Sequence, residues 1–391
     1  LITSKRSVVL LLISALIYGA AAMALIYYLP RYLLDLGFDL PIIQLVTTLY
    51  PFSTILLPQI LGRYSDKKQN RYVFFLLGSI GASLLYLALI FTKNLTVITI
   101  ILIIYSMCGA SYRISFTLYQ ELTKNNPKFV TFYNATSVFG WFLGSQFGGV
   151  FIDIYGISQI FKFLLIISLL NLSLIVFIRE NRRDIINYFN NQFEISIRNK
   201  TNNKENISPI SKSIYIALFT RHFGMRPIIT ILAVLMSFHL ASDTQIGFLL
   251  GFNPLLQFFL MLLTGKIISK KNEKYILMLG FFLSSCAIIG YILSTDFIGF
   301  LISQIMISSS FALFWNATQM YIAQKTNPRN KGKYLGYANS SFFSGGFLGG
   351  LFFSLLLIFN PNYYAFMWIM MVFPVISTIV IIIKFKNDQR N

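Results

Sequence analysis

Few side chains in this sequence could do chemistry, and most of them lie where such groups are expensive. Arg113, Arg221, His222 and Arg226 each interrupt a long apolar run. On membrane-insertion scales a charged residue at the centre of such a run costs about 2.5–3.5 kcal/mol, so it tends to face a water-filled cavity or pair with other polar groups. A guanidinium is a planar fork that matches a carboxylate or phosphate bidentately. The 13 acids are Asp35, Asp39, Asp66, Glu121, Asp153, Glu180, Asp184, Glu194, Glu205, Asp243, Glu273, Asp296 and Asp388, and none falls in the middle of an apolar run. A cavity with buried arginine and no acid prefers anionic or neutral solutes. His222 is the one group placed to relay protons. Uncharged polar candidates for a cavity wall are Asn134, Gln146, Asn316 and Gln319, with Gln44 and Gln257 behind them. Tyr112 and Trp315, and also Tyr105 and Trp141, could stack on an organic solute. The competing reading of all these residues is plain packing between helices, and most of the 39 Phe and 22 Tyr are read that way.

Enzyme chemistry finds no footing. It would need a convergent nucleophile, base or metal set. The two histidines are far apart, and Cys108 and Cys286 sit singly in apolar runs. That arrangement excludes a disulfide framework or a cysteine-rich metal site. No Gly-x-x-x-x-Gly-Lys-Ser/Thr loop is present to cradle ATP. No metal or other cofactor is expected, and coupling to an ion or proton is left open.

The elements that must position these residues follow from composition. The chain has 391 residues, 56% hydrophobic and 12% charged. A soluble protein carries about 25% charged residues, so this chain's main solvent is lipid. A spanning helix needs about 20 apolar residues. Such stretches occur at 8–30, 42–61, 72–92, 96–118, 131–152 and 159–178, then at 211–236, 245–264, 275–293, 298–320, 334–358 and 365–383. The first has Lys5 and Arg6 before it and a Gly19-Ala20-Ala21-Ala22 stretch within it, as a signal peptide would. It runs on through Leu29, too long for the apolar core of a signal peptide, so it is read as a retained span.

Basic residues set the orientation. Of the 32, only Arg31, Lys93 and Lys162 lie on the side opposite the N-terminus. Those on the terminal side include Arg63, Lys67, Lys68, Arg71, Lys124, Lys128, Lys266, Lys325 and Lys384. The positive-inside rule places both termini in the cytoplasm of a cell-membrane protein. It also accounts for the net charge of +19, since the charge is spread over every inner gap instead of forming a nucleic-acid patch. The expected partners are a small-molecule solute and the bilayer, with no nucleic acid, and the working unit is a monomer.

The chain repeats. Gly62-Arg-Tyr-Ser-Asp-Lys-Lys-Gln-Asn-Arg-Tyr72 follows span 2, and Gly265-Lys-Ile-Ile-Ser-Lys-Lys-Asn-Glu-Lys-Tyr275 follows span 8, at an offset of 203. Pro51 and Pro254 keep that offset. Asn126-Pro127 matches Asn327-Pro328, and Gly144, Gly148 and Gly149 match Gly345, Gly349 and Gly350, at an offset of 201. The organisation is an N-terminal half, 1–178, a polar cytoplasmic linker, 179–212, and a C-terminal half, 213–391. A short amphipathic helix is expected near 182–198. Two parallel repeats of six helices are one of the standard transporter architectures.

With these motifs in place, the sequence resembles a major facilitator superfamily permease over about residues 6–385. Gly62 through Arg71 is similar to the family's motif A, with Gln69 where Gly is usual and Asn70 where a base is usual. Gly140-x-x-x-Gly144-Ser145-x-x-Gly148-Gly149 resembles motif C, with Ser145 in place of Pro. Tyr105 stands where motif B carries Arg, and Ser269 replaces the acid in the second motif A copy. The resemblance implies an all-α fold of twelve transmembrane helices in two pseudo-symmetric halves. It implies a latch in which Gly62 allows close approach, Asp66 docks near the start of span 11 at 333–336, and Lys67 and Arg71 work with Glu121. Gly140, Gly144, Gly148 and Gly149, with Gly345 and Gly349, would pack helices closely.

The function read from this is a secondary, ATP-independent transporter of a small organic solute by alternating access. Efflux is slightly favoured over uptake, and an anionic or neutral solute over a cation. The alternatives are an uptake permease or facilitator for an organic anion, and a membrane sensor or scaffold without transport.

Overall fold

A computed structural model of the chain describes residues 2–52, 57, 60, 61, 64, 65, 67, 68, 70–123, 127–179, 210–269, 271–326, 328–360 and 362–385. Among them, regular structure is helical throughout. The helices are α1 (Ile2–Asp35), α2 (Leu40–Leu49), α3 (Tyr72–Ile90), α4 (Leu95–Tyr112), α5 (Ile114–Leu122), α6 (Pro127–Tyr155) and α7 (Ile160–Ile175). They continue as α8 (Lys212–Ser237), α9 (Asp243–Ile267), α10 (Glu273–Leu293), α11 (Phe297–Lys325), α12 (Pro328–Phe359) and α13 (Tyr363–Lys384). Ten helical segments among the described residues are long and apolar enough to cross a membrane. Expected span 2 begins with α2, and expected span 5 is α6. The linker helix expected near 182–198 lies outside the described residues, as do Gly62 and Asp66.

Lipid offers the backbone no hydrogen bonds, so apolar runs this long fold as helices that satisfy their own. Their ends follow local chemistry. Asn94, Asp296 and Asn362 accept bonds from the backbone N–H groups of Val97, Gly299 and Ala365, three residues on. These are N-caps at the starts of α4, α11 and α13. α1 ends where Gly37 turns left-handed at φ 87°. Gly37 N–H donates to Leu34 O and Phe38 N–H to Leu33 O, a Schellman closure. Gly156, at φ 83°, ends α6 by donating to Ile152 O. Span 4 is interrupted at Arg113, the residue between α4 and α5. The loop of the second motif A copy is organised by Asn272, whose amide donates to Ile267 O while its oxygen accepts from Ser269 N–H.

Contacts gather the chain into two compact units. One comprises Leu1–Leu25, Tyr50–Gly144 and Gln159–Asn206; the other comprises Ile26–Leu49, Ser145–Ser158 and Ile207–Asn391. In the first, α3 packs on α4 and α7. Its core includes Leu11, Ala15, Phe75, Tyr112, Leu118 and Ile175. In the second, α8 packs on α12 and α13, α10 on α11 and α13, and α9 on α11. Its core includes Ile214, Leu218, Leu277, Phe281, Phe314 and Ile381.

Glycine-built seams occur in both units. A Cβ on Gly140 or Gly144 would overlap the backbone carbonyls of Leu16 and Ala20 of α1. A Cβ on Gly345 or Gly349 would overlap those of Phe219 and Phe223 of α8. The same four-residue spacing thus joins α6 to α1 and α12 to α8, and only glycine permits that approach.

Candidate functional site

The first unit holds a narrow, mainly apolar cleft with room for about one water, lined by Ile17, Tyr18, Ala21, Ala82, Tyr86 and Tyr105 and by the polar Ser79, Ser168 and Asn171. Tyr86 donates to the Tyr105 hydroxyl at 2.6 Å. Next to it, Ser14 shares a 2.6 Å bond with Tyr112 and donates to Asn171 Oδ1 at 2.7 Å. The Tyr18 and Tyr112 rings stack at 3.6 Å. Tyr112, a candidate for solute stacking, is therefore buried and occupied by Ser14 and Tyr18. Its neighbour Arg113 is exposed. No hydrogen bond or ion pair of the Arg113 side chain forms among the described residues. Its position nine residues from Leu122 puts it about 14 Å along the helix from that end, at bilayer depth.

Arg221, in the second unit, is only 1% exposed. Its Nε donates to Ser284 Oγ at 3.0 Å, and Ser284 in turn bonds Ser310. The guanidinium carbon lies 4.6 Å from the Phe314 ring centroid. A further nitrogen lies 3.3 Å from His222 Nδ1. Arginine can only donate, so Nδ1 accepts and the neutral ring carries its proton on Nε2. His222 also stacks on Phe342 at 3.5 Å. Arg221 and His222 thus lie inside the unit, against Ser284, Phe314, Phe342 and each other. Arg226 is half-buried beside Gly346, where a Cβ would stand 3.0 Å from its Cγ.

The other cavity candidates divide. Asn316 donates to Met261 O and Thr264 Oγ1, both at 2.8 Å, which ties α11 to α9. Trp315 lies against Phe311 and Phe342. Asn134 and Gln319 are exposed. Gln146 keeps a buried Oε1 without a hydrogen-bond partner among the described residues. Gly148 is buried on α6. Of the motif A set, Arg71 is buried and reaches Glu121 Oε1 through Nε at 3.2 Å and through a terminal nitrogen at 2.9 Å. It also donates to Ser65. Lys67 is exposed. Ser14, Tyr18, Ser79, Tyr86, Ser168 and Asn171 were missed as candidates. Asn171, a lone amide in the apolar run of span 6, was the signal that could have found them.

The chain is similar to known proteins. The profile of the MFS_1 like family matches residues 9–370. The tetracycline resistance protein, class H, of Pasteurella multocida is 24% identical over 339 residues, covering 82% of this chain and 81% of that protein. Among solved structures, the nucleoside transporter NupG superposes with a TM-score of 0.70 at 13% identity, covering 99% of this chain and 100% of that one. A D-xylose-proton symporter gives 0.71 at 13% identity, covering 98% of each chain. The human organic anion transporter MFSD10 gives 0.65 at 14% identity, covering 97% and 99%. At these identities the structures speak for the fold alone, that of the major facilitator superfamily.

Proposed function

The chain belongs to the MFS_1 like family of membrane-embedded secondary transporters, and from that premise we propose that it exports a small organic anion or neutral solute across the cell membrane. The observation that carries this reading is Arg113. It is an exposed residue within span 4, its side chain without a hydrogen bond or ion pair among the described residues, and next in sequence to Tyr112, whose ring stacks on Tyr18 of the cleft. Aromatic faces and hydroxyls suit an organic body, and the fork suits a carboxylate or phosphate on it. Arg221 already has partners inside its own unit, so the anion is assigned to Arg113. Export is supported by the likeness to motif C at Gly140 and Gly144 and by a relative named for tetracycline resistance. Solute moves by alternating access, with the sequence halves 1–178 and 213–391 as the moving bodies and 179–212 as their tether. Both termini are cytoplasmic, the protein works as a monomer, and Arg71 with Glu121 belongs to the cytoplasmic latch.

The test is transport into proteoliposomes of purified protein, comparing aromatic carboxylates, organic phosphates, neutral glycosides and quaternary amines of similar size. Saturable movement of carboxylates or phosphates, with amines excluded, is expected. Preference for the amines would overturn the anion reading and leave the family assignment intact.

A further inference from the structure

The exposed end of α6 makes an unusual contact within the second compact unit. Asp153, three residues before Gly156, accepts four hydrogen bonds from the start of α9. Its Oδ1 takes Asp243 N–H at 2.8 Å, and its Oδ2 takes Thr244 N–H at 2.8 Å, Ser242 Oγ at 2.6 Å and Thr244 Oγ1 at 2.6 Å. The free N–H groups and partial positive charge of a helix start favour a carboxylate, and here a different helix supplies it. Asp243, the buried first residue of α9, is in turn ion-paired with Arg31 of α1. Tyr28 donates to Ser145 O at 2.8 Å. A Cβ on Gly149 would overlap Asp243 O, and one on Gly247 would overlap Ser145 O. The α6 and α9 backbones therefore mate without side chains between them. Two smaller contacts extend the seam: Thr230 donates to Gln44 Oε1 at 3.0 Å, and Ser354 donates to Pro41 O at 2.8 Å.

Apart from the Tyr28–Ser145 bond, which stays within the first sequence half, each of these bonds links 26–49 or 145–158, from the first sequence half, to 207–391, from the second. All lie toward the helix ends that join α1 to α2, α6 to α7 and α8 to α9, which the orientation proposed above places outside. The two glycine seams at Gly140/Gly144 and Gly345/Gly349 each stay within one sequence half. The Asp153 contact has a different character. It is made of charge-assisted hydrogen bonds at an exposed rim, where water can take the place of either partner when the contact parts. A contact that links the moving halves and can exchange with water is suited to opening and closing.

We propose that the Asp153 cap on α9, together with the Arg31–Asp243 pair, is the outer latch of the transport cycle, holding the outer side shut until the halves part. The inference rests on the transporter reading and on the orientation. Losing charge-assisted bonds shifts a two-state equilibrium by about tenfold or more.

The experiment places a single cysteine, Gln146→Cys, in full-length protein carrying Cys108→Ser and Cys286→Ser, and follows its reaction with a membrane-impermeant maleimide added to intact cells. Gln146 lies on α6 toward the bilayer middle from Asp153, and its Oε1 has no partner to lose among the described residues. Asp153→Asn and Arg31→Gln are each expected to speed labelling about tenfold over the parent. Thr244→Val, which removes one of the four bonds, is expected to give about threefold and serves if the other two do not fold. Folding is checked by a monodisperse peak in detergent. Unchanged labelling in the folded variants would overturn the latch. Acceleration seen only in inside-out vesicles would keep the latch and overturn the orientation. Acceleration without movement of any solute in proteoliposomes would keep the latch as a conformational switch and count against the transport reading.

Discussion

Gly336 and Gly349 lie on the same helix, α12, in opposite surroundings. A Cβ on Gly336 would meet nothing within 4 Å, whereas one on Gly349 would overlap the backbone carbonyl of Phe223. Alanine inside a helix is favoured over glycine by about 0.5–1 kcal/mol, because glycine loses more backbone freedom on folding. Gly336→Ala should gain that much. Gly349→Ala gains it too, but must push α12 off α8 by roughly 1 Å to restore contact spacing. The obstacle is backbone, so no rotamer change relieves it. Overpacking of this kind costs about 1–3 kcal/mol. The propensity gain is common to both, so the two variants should differ by about 1–3 kcal/mol, which for a chain of this size is a gap on the order of 5 °C in melting temperature. Thermal unfolding of purified protein in detergent, followed by tryptophan emission, reads it. Gly144→Ala, against Ala20 of α1, should behave like Gly349→Ala. If Gly349→Ala melts at or above Gly336→Ala, the seam is not built on glycine and the reasoning fails.

Arg71→Ala strips buried Glu121 of its guanidinium and should cost about 3–5 kcal/mol; Glu121→Gln on top of it should recover part of that loss in a double-mutant cycle of melting temperatures. Arg221→Met keeps most of the volume, removes a costly buried charge and leaves Ser284 its bond to Ser310, so it should stay within about 1 kcal/mol of the parent, whereas Arg221→Ala should lose about 2–5 kcal/mol to a cavity. In the orientation argued here, Asn203→Cys should label with an impermeant maleimide in inside-out vesicles and stay silent on intact cells; labelling of intact cells would invert the topology.

The helices were legible because length and hydropathy alone define a span. Expected 72–92 and 275–293 meet α3 at Tyr72–Ile90 and α10 at Glu273–Leu293 within a few residues. Residues such as Asn94, Asp296 and Asn362, capping types just before apolar runs, carried the helix starts. The glycine spacing told that helices pack closely, and the structure adds which helices they are. Facing directions were not legible. A helix apolar on all sides has no stripe to say which side meets a neighbour. For this reason Arg221 read as a cavity residue, while its guanidinium in fact lies against Ser284 and Phe314. Asn171, Ser14 and Tyr112 meet across 157 residues of chain, a juxtaposition that a single sequence does not encode locally. Asp153 read as an ordinary acid after span 5, because nothing in its neighbourhood names the start of α9 as its partner.

The central claim is that Arg113 holds the anionic group of an organic solute, and binding of a transported carboxylate to three proteins tests it most directly: the parent, Arg113→Lys and Arg221→Lys. Lysine keeps the charge and loses the fork. By isothermal calorimetry in detergent, Arg113→Lys should raise Kd about tenfold, the loss of one charge-assisted bond. Arg221→Lys should leave Kd within about twofold and lower the melting temperature instead, because it leaves a buried charge without the Ser284 and His222 bonds of the fork. Unchanged affinity in Arg113→Lys, or a loss that appears in Arg221→Lys alone, would contradict the claim.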